Sequence, residues 1–263
     1  DLDMADKLRS ARSVAKAARG PITAIRSLIE MSAAGTHFIP EGHYSLHMAA
    51  AGRSAAAVRH DLKRAAVIAG KAGGTAVAAT IPTVVRAELF ANLNGILGPK
   101  GERWAALNAK VAHSDAPELI AAFDELTAPH HEAMKRHGVT ITRLASALSN
   151  HCFSFEPVFH WADEWLPIHR ESADPDFLHG FDEPPENPDA RELVNLLRTE
   201  TVELFRRLGA ASNQIGRSYP YFPALSEEPS KLLMALKRHL DPAGLMNPGV
   251  LGLPAEQEKE KQS

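Results

Sequence analysis

Residues 138–161 read GVTITRLASALSNHCFSFEPVFHW, and this stretch decides the fold. Two runs, 138–148 and 151–161, are rich in the β-branched and aromatic residues that are typical of strands. Ser149 and Asn150, both common in turns, lie between them. The stretch therefore predicts two neighbouring strands joined by a hairpin bend.

The residues before this hairpin predict a further strand and a helix. In ALNAKVAH, residues 106–113, apolar and polar side chains alternate, which indicates a half-buried strand. The preceding GPKGERW, residues 98–104, is interpreted as a turn. A helix is predicted to begin at Ser114 or Asp115 and to run to about His137. Together with the hairpin, these elements form a strand-helix-strand unit.

A similar unit is predicted earlier in the chain. Alternation in residues 44–48 indicates a strand, Ser54 is a typical N-cap for a helix that ends at Gly73 and Gly74, and TAVAAT, residues 75–80, indicates a second strand. Two such units predict an α+β fold. Ferredoxin-like strand-helix-strand units would form a largely antiparallel sheet covered by helices on one face.

Three segments follow from the patterns along the chain. Residues 1–42 contain helical periodicity, with Met4, Leu8 and Ala11 on one side of an amphipathic helix, and are predicted to be a helical lead-in. Residues 43–253 form the main domain. Residues 254–263 are highly charged and are predicted to be a disordered tail.

Composition narrows the class of protein. Of the 263 residues 44% are hydrophobic, enough for a buried core, and the net charge of -3 comes from interspersed charges, which excludes a basic nucleic-acid-binding face. A single cysteine, Cys152, excludes an internal disulfide and fits a reducing compartment. No apolar run is long enough to span a bilayer. We interpret the protein as cytoplasmic, with peripheral association with a membrane left open.

The common catalytic signatures are absent from the sequence. It contains no glycine-rich dinucleotide or phosphate loop and no G-x-S-x-G motif. His151, His160 and His169 recur every nine residues, a spacing that puts no two of them on one helical face. No metal site is therefore predicted.

Two clusters remain as candidates for chemistry. Glu156 and His160 are four residues apart on a predicted strand, so both would face the same side of the sheet. For Glu156, a purely structural role as a buried, hydrogen-bonded carboxylate is weighted equally with a role in the site. SNQIGRSYPYFP, residues 212–223, concentrates amide, guanidinium and phenol groups on one glycine-containing loop, more densely than a plain turn requires.

With the C-terminal LKRHLDPAGLMNPGVLGL, residues 236–253, these clusters resemble the C-terminal half of FAD-linked oxidases of the vanillyl-alcohol-oxidase type. That superfamily includes D-lactate and glycolate dehydrogenases and p-cresol methylhydroxylase. GERWAALNAKVAHSDA, residues 101–116, and FSFEPVFHW, residues 153–161, are similar to strands of its cap domain. The resemblance covers roughly residues 20–253.

The resemblance implies a cap and substrate-binding domain. FAD would be held by an N-terminal domain of the same protein, and residues 1–42 would connect that domain to the cap domain. It implies hydride transfer from a small-molecule substrate to flavin, and it allows an electron-acceptor protein and a homodimer as further partners. Ser212, Asn213 and Gln214 depart from the Glu-His-Gly that opens this loop in the lactate and glycolate branch. A para-substituted phenol or aryl alcohol is therefore the first substrate choice and a 2-hydroxy acid the second.

The same resemblance assigns roles to individual residues. Arg217 would stabilise negative charge and contact the cofactor, Tyr219 would donate a hydrogen bond to a phenolate, and Glu156 or His160 would act as base. Substrate-binding residues would be Tyr221, Asn213, Gln214 and Trp161, and Asn247 would contact the cofactor. The alternative is a stand-alone ferredoxin-like binding or oligomerisation module without catalysis.

Overall fold

The computed structural model describes residues 43–48, 50–77, 98, 100–148, 150–173, 178–219 and 221–253. The chain divides into two compact units, Asp1–Asn92 and Leu93–Ser263. The predicted helical lead-in, residues 1–42, and the predicted tail, residues 254–263, lie outside the described residues.

The described part of the first unit contains one helix, α1, Ala55–Lys71. The Ser54 side chain accepts a hydrogen bond from the Ala57 N–H, as an N-cap does, so the predicted helix is confirmed. The strand predicted at residues 44–48 is wrong, because residues 43–48 have no regular structure. Tyr44 is 75% exposed, and alternation alone does not make a strand where no neighbouring strand supplies hydrogen bonds. Residues 75–77 are also irregular.

The second unit combines helices with a sheet, which confirms the α+β class. Its elements are β1, Glu102–Ala106; β2, Ala109–Val111; α2, Ala116–Thr127; α3, His131–His137; β3, Thr140–Leu148; β4, Cys152–Ala162; α4, Pro167–Ser172; α5, Pro188–Arg207; and α6, Glu227–Leu240. Short 3₁₀ turns separate several of them, among them Phe222–Ala224 and Val250–Gly252.

β4 is the central strand of an antiparallel sheet. β3 pairs with one edge of it, as the predicted hairpin requires, and β1 and β2 pair with the other edge. β1 and β2 share one register, since Ala106 lies opposite Val158 and Ala109 opposite Phe155. The ladder breaks between them at Pro157, which accepts a hydrogen bond from Leu107 but has no N–H to return.

One face of the sheet is covered by helices, as predicted. Phe155 and Phe159 of β4 are 1% and 0% exposed and belong to one core with Phe123 of α2 and Leu197 of α5. The rings of Phe123 and Phe155 pack edge to face at 5.2 Å. Alternation of side chains along each strand places every second residue on the opposite face.

We call this opposite side the open face. Even-numbered strand residues contribute its side chains, among them Trp104, Ala106, Thr142, Leu144, Glu156, Val158 and His160. The shared register of β1 and β2 places Asn108, between them, on the same side. Trp104 is 54% exposed and Leu144 57% exposed. The open face therefore offers a partly apolar surface on a rigid sheet.

Candidate functional site

A loop after α5 lies against the β2 edge of the sheet. Gly209 has a φ of 64°, and Ala211 then exchanges backbone hydrogen bonds with Lys110 of β2, at 2.7 and 3.0 Å. This isolated bridge holds the residue just before the loop of residues 212–223 at the edge of the sheet. The loop singled out in the sequence is thereby brought to one end of the open face.

Asn108, between β1 and β2, binds this loop at three points. Its backbone N–H donates to the Tyr219 hydroxyl at 2.6 Å, and its side-chain Nδ2 donates to Gln214 Oε1 at 2.7 Å. Its Oδ1 accepts from the Asn213 N–H at 2.7 Å. We call Asn108, Asn213, Gln214 and Tyr219 the Asn108 cluster.

Tyr219 is the deepest of the predicted site residues in this loop, at 8% exposure. Burial raises the pKa of its phenol above the ordinary value, and the negative charge of Glu156 raises it further. The hydrogen bond from the Asn108 N–H and the positive charge of Arg198 both lower that pKa, but by less than burial raises it. The phenol is therefore protonated at neutral pH and can serve as a hydrogen-bond donor.

Glu156 and His160 share the open face, as their spacing predicts. Continuing the register from Ala106 opposite Val158 places Glu156 opposite Asn108, next to the Asn108 cluster. His160 lies opposite Trp104 and shares a 2.8 Å hydrogen bond with Thr142 Oγ1. Four residues of strand separate Glu156 from His160 by about 13 Å, so they do not form one acid-base pair by direct contact.

The environment of His160 has a consequence for its titration. Partial burial lowers the pKa of its imidazole below the ordinary value, because the charged form is poorly solvated. We expect an NMR titration of the histidine side chains to show His160 changing charge at lower pH than histidine in an unfolded peptide. The signal would be assigned by its loss in His160→Gln, and a midpoint at or above that of the unfolded peptide would contradict the expectation.

The folding free energy follows from the same shift. The unfolded protein, with the ordinary pKa for His160, binds a proton at higher pH than the folded protein does. As pH falls through these two pKa values, protonation therefore favours the unfolded state. His160 therefore makes the folded state less favourable in mildly acidic solution. The effect is small, since the imidazole is only partly buried.

Trp161 lies on the covered face, opposite to Glu156 and His160. It packs partly buried against the core, and its indole N–H donates to Asp163 at 3.4 Å. The structure therefore does not bring Trp161 to the open face. Tyr221 follows the Asn108 cluster in the loop and is 37% exposed.

Arg217 and Asn247 are brought together by the C-terminal segment. Arg217 Nη2 donates to the carbonyl of Pro248 at 2.9 Å, and the Leu251 N–H donates to the carbonyl of Gly216 at 2.6 Å. Asn247 adopts a left-handed φ of 47° and accepts a hydrogen bond from the Val250 N–H at 3.1 Å. Arg217 is an exposed residue.

Asp241 shapes the turn that precedes this segment. Its carboxylate accepts hydrogen bonds from the Leu245 and Met246 N–H groups, both at 2.9 Å, and pairs with Lys237. The hydrogen bond from Lys237 is the main reason that the pKa of Asp241 is lowered. The Asp241 carboxylate thus holds the turn that directs residues 245–251 back onto the loop.

The sequence reasoning missed Asn108. The one available signal was an asparagine inside an alternating strand, where asparagine is uncommon because its side chain favours turns. Its partners lie more than a hundred residues away, at Asn213, Gln214 and Tyr219. No local pattern links such positions.

In the described residues, no three or more His, Cys, Asp or Glu side chains group together as metal ligands would. The same part of the chain has no helix that is long and apolar enough to cross a membrane.

Residues 220–251 match the family model of FAD linked oxidases, C-terminal domain. The match covers the end of the loop, α6, the Asp241 turn and Asn247. No curated protein matches the chain in sequence. The family match supports a C-terminal domain of an FAD-linked oxidase, which implies FAD as cofactor and an N-terminal FAD-binding domain as partner. The vanillyl-alcohol-oxidase branch stays a prediction.

Proposed function

We propose that the chain is the substrate-binding C-terminal part of an FAD-dependent oxidoreductase that transfers hydride from a small substrate to flavin. The main support for this proposal is that the segment matching the family model is also the segment that makes hydrogen bonds to the loop of residues 212–223. Residues 220–251 match the FAD-linked oxidase family, and their Pro248 and Leu251 bind Arg217 and Gly216. The matched segment therefore holds in place the loop with the densest set of polar groups.

The open face fits a planar ring on one side. It is a sheet surface with exposed Trp104 and Leu144, and the helices of its unit cover the other face. FAD, when bound, would supply the hydride acceptor. The chain would supply the surface that covers the ring and keeps water from the reacting atoms.

The side chains of this chain would bind and orient the substrate. Tyr219, protonated and buried, would donate a hydrogen bond to a phenolic oxygen, and Tyr221 would contact the same substrate. Arg217 would stabilise the negative charge that develops during hydride transfer, through the guanidinium donors not used by Pro248. Glu156, near Tyr219, or His160 would accept a proton if the substrate must lose one. Asn247 would lie at the cofactor.

A para-substituted phenol or aryl alcohol is the preferred substrate and a 2-hydroxy acid the second. The support is the pair of phenols in the loop and the Tyr219 hydroxyl held at the edge of the sheet by the Asn108 N–H. Ser212 bonds the Gln214 carbonyl within the loop, and Gln214 bonds Asn108, so these two side chains act here as structural groups. They stand where a Glu-His-Gly sequence opens the loop in the lactate and glycolate branch.

The proposal can be tested on the protein and on its gene. The proposal assigns FAD binding to a different domain, so we expect the 263-residue chain by itself to bind no FAD. Quenching of FAD fluorescence on titration with the chain is the measurement. A yellow, flavin-loaded preparation of this chain would contradict the domain assignment.

The coding sequence upstream of Asp1 provides the second test. An open reading frame for an FAD-binding domain, fused in frame to Asp1, supports the proposal. A start codon with a promoter immediately before Asp1 would instead support a stand-alone binding or oligomerisation module. With the complete enzyme, flavin reduction by a para-alkylphenol compared with a 2-hydroxy acid decides the substrate class.

A further inference from the structure

We propose that Asn108 is a positioning residue of this site, fixing the loop of residues 212–223 so that the Tyr219 hydroxyl is held at the edge of the sheet beside β2. The inference rests on the proposed function for its catalytic meaning. Its structural part does not depend on that function, because Asn108 makes hydrogen bonds to three different residues of the loop.

The position of Asn108 in the sheet explains why it can bind the loop. Its neighbour Leu107 uses its N–H to bond Pro157 across the ladder. Successive N–H groups of a strand point to opposite edges, so the Asn108 N–H points outward, to the edge where the loop lies. That N–H meets the Tyr219 oxygen at 2.6 Å.

The chemistry of the side chain is equally specific. Asn108 is 2% exposed, and a buried amide needs partners for both its oxygen and its nitrogen. Its Oδ1 accepts from the Asn213 N–H, and its Nδ2 donates to Gln214 Oε1. Alanine at this position would leave the Asn213 N–H and the Gln214 oxygen without these contacts.

The consequence falls on the Tyr219 hydroxyl. Its oxygen is occupied as an acceptor of the Asn108 N–H, and no described group accepts its own proton. A phenol held in this way keeps its O–H available as a donor to an added ligand. Glu156, opposite Asn108 in the sheet, places a negative charge in the neighbourhood and favours the protonated phenol.

The first test follows the titration of Tyr219. The chain has three tyrosines, so Tyr44→Phe with Tyr221→Phe leaves Tyr219 as the sole phenol, and its ionisation can be read by ultraviolet absorbance. In that background we expect a pKa above the ordinary phenol value. Asn108→Ala keeps the backbone N–H that bonds Tyr219 but removes the contacts with Asn213 and Gln214, so we expect the loop to loosen, the phenol to meet solvent more often, and its pKa to move back toward the ordinary value. Asn195→Ala, an exposed asparagine on α5, is the matched control and should leave it unchanged.

The second test separates a direct contact from a general loss of stability. In Asn108→Ala, amide exchange at Asn213 should accelerate about tenfold, the size expected for losing one hydrogen bond. Gln214→Glu keeps an acceptor for Asn108 Nδ2 and should retain the phenol titration, whereas Gln214→Leu removes the acceptor and should shift it. Combining Asn108→Ala with Gln214→Leu should add nothing to Asn108→Ala, because the same contact is lost in both.

The outcomes are distinguishable from those of the proposed function, since neither readout needs a flavin. Unchanged Tyr219 titration and unchanged Asn213 exchange in a folded Asn108→Ala variant would overturn the role of Asn108. If Asn108→Ala does not fold, equal behaviour of Gln214→Glu and Gln214→Leu would overturn it. An intact effect of Asn108 in a protein whose gene encodes no FAD-binding domain would remove the catalytic meaning but leave the structural one.

Discussion

Replacing Phe155 by alanine is expected to lower the free energy of unfolding of the second unit by about 3–5 kcal/mol, the range for truncating a buried aromatic side chain. Phe155 is 1% exposed and lies on central strand β4, where its ring packs edge to face on Phe123 of α2. The cavity would open between sheet and helices, and neither layer can close it without disturbing β4. Urea unfolding followed by tryptophan fluorescence is the measurement.

The probe and the control are supplied by the chain. All three tryptophans, Trp104, Trp161 and Trp165, lie in the second unit, so their fluorescence does not report on the first. Leu144→Ala removes a large apolar side chain from the open face of the same sheet, where Leu144 is 57% exposed. It should cost well under half as much as Phe155→Ala. Equal losses would mean that the open face is buried in the protein in solution.

The hairpin at the centre of the fold was predictable because its signals are local. Strand propensity in residues 140–148 and 152–162 agrees with their antiparallel pairing, and burial alternates along the middle of β4 and the first half of β3. Polar residues that favour turns lie between the two strands. The beginning of β1 was not predictable in the same way. Glu102 and Arg103 follow a turn and carry charge, and they are held in a strand by pairing with Ala162 and Trp161 of β4, about 60 residues later.

The opposite error at residues 44–48 has the same origin. Alternating side chains are a necessary feature of a half-buried strand, and backbone hydrogen bonds to a neighbour are the other. Residues 43–48 have alternating side chains but are not paired with a neighbouring strand in the structure. Neither the presence nor the absence of a partner strand can be read from the segment itself.

In the candidate site too, local features could be predicted from the sequence and long-range contacts could not. The spacing of Glu156 and His160 correctly predicts a shared face, because alternation along one strand is a local rule. The pairing of the loop with Asn108 depends on how α5 and the Ala211 bridge return the chain to β2, which is tertiary structure. Trp161 shows how strict the rule is, since one residue beyond His160 the side chain turns into the core.

Arg217→Ala in the complete flavoenzyme is expected to slow flavin reduction about a hundredfold, the scale of removing one donor that stabilises developing charge. Arg217 is exposed, and its one described hydrogen bond, to the Pro248 carbonyl, uses only one of five guanidinium donors. The bond orients the side chain, and the proposed role would use the remaining donors. Anaerobic stopped-flow absorbance of the flavin measures the reduction step directly.

The competing explanation is that the bond to Pro248 is the whole role of Arg217, bracing the loop against the C-terminal segment. Arg217→Lys distinguishes the two, because an ammonium can still bond one carbonyl but lacks the planar fork of donors. A charge-stabilising role predicts that lysine restores only part of the rate, whereas a bracing role predicts nearly full restoration. Arg206→Ala, which removes an exposed arginine paired with Glu203 on α5, controls for loss of surface charge. Unchanged flavin reduction in Arg217→Ala together with a lower melting temperature would make Arg217 a structural residue and leave Tyr219 as the loop's principal contact with the substrate.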